Sequence, residues 1–327
     1  MKVLVTGATG FIGSHLVEKL LAEGYEVRGM TTSPTRAQKL KEKGVEPFLG
    51  DLRNYDAVRE ATRGVSLVFH LGAILSDWGP WELFYQVNVL GTANVLRAAL
   101  EEKVERVVYT SSIAATGLED YPGLKDEGFP LTSSSHPYCR SKAEAERIAR
   151  DFMARGLPVV ILRPVYVYGP GERNVGVYTV ARLLKVGFRL LPGDGQNYHH
   201  RIYVKDLVEG IMLAATRKEA LGQTYILGGP LRRAKEFWGT LARLMGTSII
   251  WVPIQVGWAF AFPFEIAYRL FPLQGPPLIS FFRIRILTNN NAWDCSKVQR
   301  ELGFIPRTDI EEGLRETLRW WREHGWL

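Results

Sequence analysis

Residues 2–15 read KVLVTGATGFIGSH, and this stretch decides the fold. Val3-Leu4-Val5 is a short β-forming run. Gly7, Gly10 and Gly13 follow it directly. From Phe11 to Ala22 apolar residues then recur at helical spacing, with Ile12, Leu16, Leu20 and Leu21 on one side and Gly24 ending the run. The local order is therefore strand, glycine turn, helix. Glycine permits the tight turn and lets backbone come close to a phosphate. The helix N-terminus adds free N–H groups and a partial positive charge. A glycine triplet alone is a weak signal, but between a strand and a helix it reads as a dinucleotide pyrophosphate site rather than a plain tight turn.

Working outward, the same alternation continues. Strands are expected at Tyr25–Met30, Val45–Leu49, Ser66–His70, Val107–Thr110 and Val159–Leu162. Helices are expected at Ala37–Lys43, Tyr55–Thr62, Trp81–Glu102 and Tyr138–Arg155. Regular βαβ alternation predicts an α/β fold of the Rossmann type, a doubly wound parallel sheet with helices on both faces. The pattern loosens after Pro164, where proline and glycine punctuate the chain. We read residues 1–165 as an NAD(P)-binding domain, with 200–228 returning to it through Ile202–Ala215 and Thr224–Leu227. Residues 166–199 and 229–327 then form a smaller substrate-binding lobe.

NAD specificity usually calls for a carboxylate at the end of the second strand, to hold the ribose 2′-OH. Here that position reads Met30-Thr31-Thr32-Ser33, and Arg36 follows. Hydroxyls and an arginine suit a 2′-phosphate, so Thr31 and Arg36 favour NADP over NAD. Asp51, after the third strand, is placed to accept from the adenine amino group or to cap the helix at Tyr55. Leu71-Gly72-Ala73 follows the fourth strand, where small residues let backbone lie against a cofactor.

The fifth strand runs into Tyr109-Thr110-Ser111-Ser112, and a later helix opens with Tyr138-Cys139-Arg140-Ser141-Lys142. Residues four apart share a helical face, so Tyr138 and Lys142 point the same way. The Lys142 ammonium is expected to lower the Tyr138 phenol pKa and to hold the nicotinamide ribose. Tyr138 is then the general acid or base on a substrate oxygen, and Ser112 orients that oxygen. Hydride transfer belongs to the nicotinamide. A Tyr-x-x-x-Lys spacing is common by chance. A serine at a strand end behind a glycine fingerprint makes it strong, because open α/β sheets bind ligands at their strand C-termini.

These segments together resemble the extended short-chain dehydrogenase/reductase family, the NAD-dependent epimerase/dehydratase group. The resemblance rests on TGATGFIG, Gly50-Asp51-Leu52, FHLGA at 69–73, NVLGT at 88–92, YTSS, YCRSK, LRPVYVYGPG at 162–171, Gly193-Asp194-Gly195, IYVKDL at 202–207 and SKVQRELGF at 296–304. It covers essentially the whole chain. It implies that Ser112, Tyr138 and Lys142 are catalytic. It implies cofactor contacts by Gly7, Gly10, Phe11, Ile12, Gly13, Asp51, Leu52 and Lys142, with Pro164 and Val165 beside the nicotinamide and Asn88 as a structural asparagine. It implies a homodimer through the helices around 81–102 and 138–155. Ser76-Asp77-Trp78-Gly79-Pro80, Phe84–Asn88 and the aromatic region 258–282 look like the 3β-hydroxysteroid dehydrogenase and ketone-reductase branch. Nucleotide-sugar epimerases usually carry an Arg-Asp pair where this chain has His199-His200, with Arg201 following; Arg201 or Arg173 remain available for phosphates. The expected activity is hydride transfer at a secondary alcohol or ketone carbon of a mid-sized substrate. The rivals are a nucleotide-sugar epimerase or dehydratase and a non-catalytic dinucleotide-sensing protein.

Composition sets outer limits. Forty-one Lys and Arg against 34 Asp and Glu give a net charge of +7, scattered and interleaved with acid in segments such as LKEKGVE and KAEAER. That is no phosphate-tracking stripe, so no nucleic-acid partner is expected. Two cysteines, Cys139 and Cys295, are too few for a disulfide scaffold and suit a reducing cytoplasm. The N-terminus lacks the pattern of a signal peptide. The apolar stretch Ile254–Leu273 is broken by Pro263, Glu265, Arg269 and Pro272, so it is read as a cleft or interface helix rather than a membrane span. Peripheral membrane contact is the lesser reading. His70 is expected to be structural, and no His/Cys/Asp cluster has metal-ligand spacing.

Overall fold

The period-2 alternation of strand side chains sets the layering. Val3 and Val5 pack into one apolar cluster with Leu16, Leu20, Phe69, Val108 and Val160. The residues between them in register, Leu4, Val68, Val107 and Val159, pack into another with Val95, Leu96 and Ala149. A sheet buried on both faces, with helices on each, is the consequence.

The computed structural model describes residues 1–173, 176–271, 277 and 279–327. Its first half runs β1 (Lys2–Thr6), α1 (Phe11–Ala22), β2 (Glu26–Thr31), α2 (Pro34–Glu42), β3 (Glu46–Leu49), α3 (Tyr55–Thr62), β4 (Leu67–His70), α4 (Trp81–Phe84), a π-helical turn (Tyr85–Leu90), α5 (Gly91–Glu101), β5 (Arg106–Thr110), α6 (Pro137–Ala154) and β6 (Val159–Pro164). The second half runs β7 (Tyr166–Tyr168), α7 (Val177–Lys185), β8 (Leu190–Pro192), β9 (Arg201–Tyr203), α8 (Val204–Thr216), β10 (Thr224–Leu227), α9 (Ala234–Leu244), β11 (Ile250–Val252), α10 (Ile254–Leu270), α11 (Phe281–Thr288), α12 (Ser296–Leu302) and α13 (Ile310–Glu323).

Seven strands form one parallel sheet in the order β10-β6-β5-β4-β1-β2-β3. The chain winds outward from β1 to β3, then crosses to β4 on the other side of β1. The strand order therefore reverses between β1 and β4, and open α/β sheets bind ligands at such a switch point. β7 pairs with β9 and β8 with β11 in two small separate sheets. The expected return of 202–215 to the sheet takes the form of a helix: β9 joins β7, while α8 packs against β5 and β6.

Two elements differ from expectation for local reasons. The second helix starts at Pro34 rather than Ala37, because Ser33 caps it by accepting from the Arg36 N–H and proline occupies its first turn. The single helix expected over 81–102 is interrupted by the π turn at 85–90. That turn carries Asn88, whose amide accepts from the Ile74 N–H at 2.7 Å and donates to the Ile74 carbonyl at 3.0 Å. It also donates to Ser141 Oγ at 3.0 Å. Asn88 thus ties the loop after β4 to α6, a structural role of the kind π turns often serve near functional sites.

Among the described residues no helix is long and apolar enough to cross a membrane. Pro272 and Leu273, at the end of the apolar stretch, lie outside the described residues. Both cysteines are free and buried.

Candidate active site

A cleft of about 840 Å³ runs along the C-terminal ends of the strands. Its near end is the turn between β1 and α1. Gly7 sits at φ +70°, and a Cβ there would stand 2.9 Å from the Gly72 backbone. A Cβ on Gly13 would stand 2.1 Å from the Gly7 carbonyl oxygen. The loops after β1 and β4 therefore touch at the switch point, and side chains are excluded from the cradle between them. Gly10 is the N-cap of α1 and offers no capping side chain, so the first-turn N–H groups face the cleft uncapped. This is the donor set a pyrophosphate needs, and the residues present fit a bound dinucleotide.

Of the residues assigned to the cofactor from the sequence, Gly7, Gly10, Phe11, Ile12, Gly13, Arg36, Leu71, Ala73, Lys142, Pro164 and Val165 line this cleft. Thr31, Asp51, Leu52 and Gly72 are not among its lining residues. Asp51 accepts from the Arg53 N–H and side chain, and Asn54, not Asp51, caps α3. Leu52 packs against Gly72 and Gly91. Arg36 is exposed, and among the described residues it forms no ion pair; Lys39 beside it also lines the cleft. Arg28 is not available to a ligand, being held by Glu46 and the carbonyls of Ala61 and Arg63.

The middle of the cleft brings Ser112, Tyr138 and Lys142 together. Ser112 follows β5 and caps a short 3₁₀ turn, accepting from the Ala114 N–H at 3.1 Å. Pro137 opens α6, so Tyr138 sits in its first turn and Lys142 one turn on. Lys142 is buried and donates to the Thr110 carbonyl at 3.0 Å. Burial pulls its ammonium down to about 8, with Glu146 partly offsetting. Burial also pushes the Tyr138 phenol up to about 12, against a hydrogen bond with Ser112. Desolvation, opposed by the Ser112 hydrogen bond, sets the direction for the phenol, and the lowering expected from Lys142 does not figure in it.

Several residues around this centre were not singled out from the sequence. Glu146 continues the Tyr138 and Lys142 face of α6 and is fully buried. Its carboxylate takes a bidentate pair from Arg163, at 3.0 Å and 2.7 Å, and the Ser111 hydroxyl at 2.7 Å. Burial alone would raise that carboxyl, but Arg163, Ser111 and Arg150 together hold it below its ordinary value. The periodicity 138, 142, 146 was the available signal. His70 is structural: its Nδ1 contacts Thr6 Oγ1 at 2.7 Å and its Nε2 contacts Thr92 Oγ1 at 2.9 Å. Thr92 donates onward to the Asn88 carbonyl, which makes His70 Nε2 the protonated nitrogen.

The far end of the cleft is lined from the second half of the chain. Leu191, Val256, Phe260, Phe282, Ile286 and Leu287 line it with apolar surface, and His199 and Arg201 contribute from β9 and the segment before it. Arg283 of α11 holds Asp77, from the loop after β4, in a two-point ion pair that joins the two halves. His200 faces away, in contact with the Gly229 carbonyl at 2.7 Å and accepting from the Trp293 N–H. Among the described residues no group of three His, Cys, Asp or Glu is placed to hold a metal ion.

The switch-point cradle and the Ser-Tyr-Lys centre define a dinucleotide-dependent α/β oxidoreductase. The model of the NAD dependent epimerase/dehydratase family matches residues 3–228, and the chain belongs to that family. The 2-alkyl-3-oxoalkanoate reductase of Stenotrophomonas maltophilia is 32% identical, over 96% of this chain and 98% of that one. The 3beta-hydroxysteroid-dehydrogenase/decarboxylase isoform 1 of Arabidopsis thaliana is 29% identical, over 96% of this chain and 78% of that one. Among solved structures, MoeE5 in complex with UDP-glucuronic acid and NAD superposes with a TM-score of 0.78. It is 28% identical, and the match covers 99% of this chain and 100% of that one. The chain is an enzyme, an NAD-linked oxidoreductase of the extended short-chain type with reductase and 3β-hydroxysteroid dehydrogenase relatives.

Proposed function

We propose that the enzyme interconverts a ketone and a secondary alcohol on a mid-sized, largely apolar substrate, with NADP preferred over NAD. The observation that carries this reading is the continuity of one cleft from the glycine turn, past Ser112, Tyr138 and Lys142, to the apolar lobe wall. NAD(P), when bound, supplies the hydride donor or acceptor. Tyr138 Oη exchanges a proton with the substrate oxygen, and Ser112 Oγ orients that oxygen by a hydrogen bond. Lys142, fixed on the Thr110 carbonyl, would hold the nicotinamide ribose with its remaining protons.

The NADP preference rests on Thr31, Thr32 and Ser33 where a carboxylate would serve NAD, and on Arg36 and Lys39 lining that end of the cleft. A nucleotide-sugar substrate is the second reading, supported by the fold likeness to MoeE5. Against it, His199-His200 stand where the epimerases carry Arg-Asp. A homodimer through 81–102 and 138–155 belongs to the same proposal, resting on the family resemblance and checked by sedimentation. A cytoplasmic setting suits the two free, buried cysteines.

The test is to denature the purified protein, identify any released nucleotide by mass, and then follow NADPH and NADH oxidation with a panel of ketones. Nucleotide-free protein that oxidises NADPH faster than NADH is the expected result. Stoichiometric NAD, with no ketone reduced, would overturn the reading in favour of an epimerase.

A further inference from the structure

One wall of the cleft holds a buried arginine that forms no ion pair among the described residues. Arg201 is 8% exposed and lines the cleft from β9. Among the described residues its guanidinium makes one hydrogen bond, from Nη2 to His199 Nδ1 at a long 3.4 Å, and its buried Nε meets no partner. No carboxylate among the described residues forms an ion pair with it. Arg163, equally buried, shows the contrast, since Glu146 meets it at 2.7 Å. The rings of Phe237 and Trp238, 4.5 Å and 4.6 Å from the guanidinium carbon, attract the cation but accept few of its five N–H bonds. Glu172, buried on the same cleft, attracts the guanidinium from beyond ion-pair distance but takes none of its N–H bonds. Donors left open in a buried guanidinium are costly, and an anion entering the cleft would satisfy them.

Two further donors sit beside it. The Tyr166 hydroxyl and His199 Nε2 are also buried without partners among the described residues. Because Arg201 donates to His199 Nδ1, Nε2 carries that ring's proton. The Tyr166 and His199 rings are 4.7 Å apart, and the guanidinium lies 5.8 Å from the Tyr166 ring. Tyr166, His199 and Arg201 line the same cleft as Tyr138, so the corner opens on the reacting centre.

The charge of the corner selects its occupant. The other guanidiniums on this part of the cleft are engaged: Arg283 pairs with Asp77, and Arg173 lies over the Trp326 ring at 5.0 Å. One cation with two neutral donors matches a singly charged planar anion better than a diphosphate. The remaining wall is apolar. We propose that Arg201, with Tyr166 and His199, forms a carboxylate subsite, and that the substrate is an amphiphilic keto or hydroxy acid. Its carboxylate sits on Arg201, its carbonyl or hydroxyl at Tyr138, and its alkyl part along α10 and α11. The substrate class rests on the reductase reading above; the anion subsite does not.

The test uses decanoate and decanol as probes on the full chain with NADP present, read by tryptophan fluorescence because Trp238 adjoins the guanidinium. Wild type is expected to prefer decanoate, and Arg201→Met to lose about tenfold or more of decanoate affinity with decanol unchanged. Arg201→Lys keeps the charge and should restore part of the preference, which covers the case that the methionine variant folds poorly. In turnover, wild type should favour a keto acid over its methyl ester. Arg201→Met should erase that preference through KM while retaining kcat on the ester. Equal binding of decanoate and decanol to wild type, or unchanged decanoate binding in both variants, would overturn the subsite. UDP binding that depends on Arg201 while decanoate binding does not would overturn the carboxylate in favour of a phosphate. Failure to reduce any ketone, with the decanoate preference intact, would remove the reductase reading alone.

Discussion

The two ends of the cleft are built from different materials. The cofactor end is made of backbone: the Gly7–Gly13 turn, the uncapped start of α1 and the loop after β4, all within the first 73 residues. The substrate end is made of side chains from β7, β9, α10 and α11, drawn from positions 166 to 287. A backbone site is written as missing side chains, so glycine spacing shows it. A side-chain site is assembled by packing between distant segments, and its chemistry appears only when the lobe closes over the strands.

Ser112, Tyr138 and Lys142 lie where the two ends meet, so removing the Tyr138 hydroxyl should separate them. Tyr138→Phe is expected to lower kcat by about 10²–10⁴, the range for losing a positioned acid or base, while NADPH affinity stays as it was. Steady-state kinetics beside a nucleotide titration would check this. Wild-type turnover would mean that proton transfer does not pass through Tyr138.

The two buried arginines sharpen the comparison. Arg163 pairs with Glu146 on α6, and Arg201 lines the cleft. Arg163→Met leaves the buried Glu146 carboxylate with only Ser111 and Arg150 and should cost about 3 kcal/mol in urea unfolding. Arg201→Met breaks no ion pair among the described residues and removes only the longer-range attraction of Glu172, so it should cost clearly less than Arg163→Met. Equal losses would break the distinction and make Arg201 a structural residue.

Acid should act on both ends at once. Burial, with Lys142 adding for His70, pulls that ring down to about 3. Burial, against the Gly229 contact, pulls His200 to about 4. Burial, Arg201 and His200 pull His199 well below its ordinary value. Each ring is neutral when folded and takes a proton on unfolding below about 6.5, the ordinary imidazole value. The stability they contribute is therefore present above pH 6.5 and lost as pH falls through the window toward 4. Each contributes up to ~1.4 kcal/mol per pH unit. Melting temperature should drop between pH 7 and pH 5, and His200→Gln should flatten that drop. An unchanged slope would mean that His200 is protonated in the folded state.

How far the sequence could be read follows the same division. The order of β1–β6, the glycine cradle and the grouping of Ser112, Tyr138 and Lys142 were legible, because each depends on a period or a short spacing. The start of the second helix was missed although Ser33-Pro34 marks it, since a cap outweighs three residues of indifferent propensity. The π turn was not legible, because it is selected by what Asn88 reaches across to at Ile74 and Ser141. Arg163 and Glu146 belong to different elements, and only the 138, 142, 146 face hinted at the pair. Asp77 and Arg283, 206 positions apart, carried no signal in either neighbourhood.

The smallest expected effect tests the cofactor end where it, too, relies on side chains. The ribose is distinguished by the residues after β2, and there the backbone rule gives way to Thr31, Ser33, Arg36 and Lys39. Ser33 is committed to capping α2, accepting from the Arg36 N–H, so the Arg36 side chain is carried on a capped first turn. It is exposed at the edge of the cleft, where solvent screens its charge, so its contribution is modest. Arg36→Ala is expected to raise the KM for NADPH about tenfold, ~1.4 kcal/mol, and to leave the KM for NADH and both kcat values nearly unchanged. The preference should also shrink as salt rises, because an exposed charge pair is screened within about 8–10 Å at physiological ionic strength. Equal effects on the two nucleotides would show that Arg36 does not meet a 2′-phosphate. The discrimination would then fall to Lys39 or to the Thr31 hydroxyl, which a Lys39→Ala titration would separate.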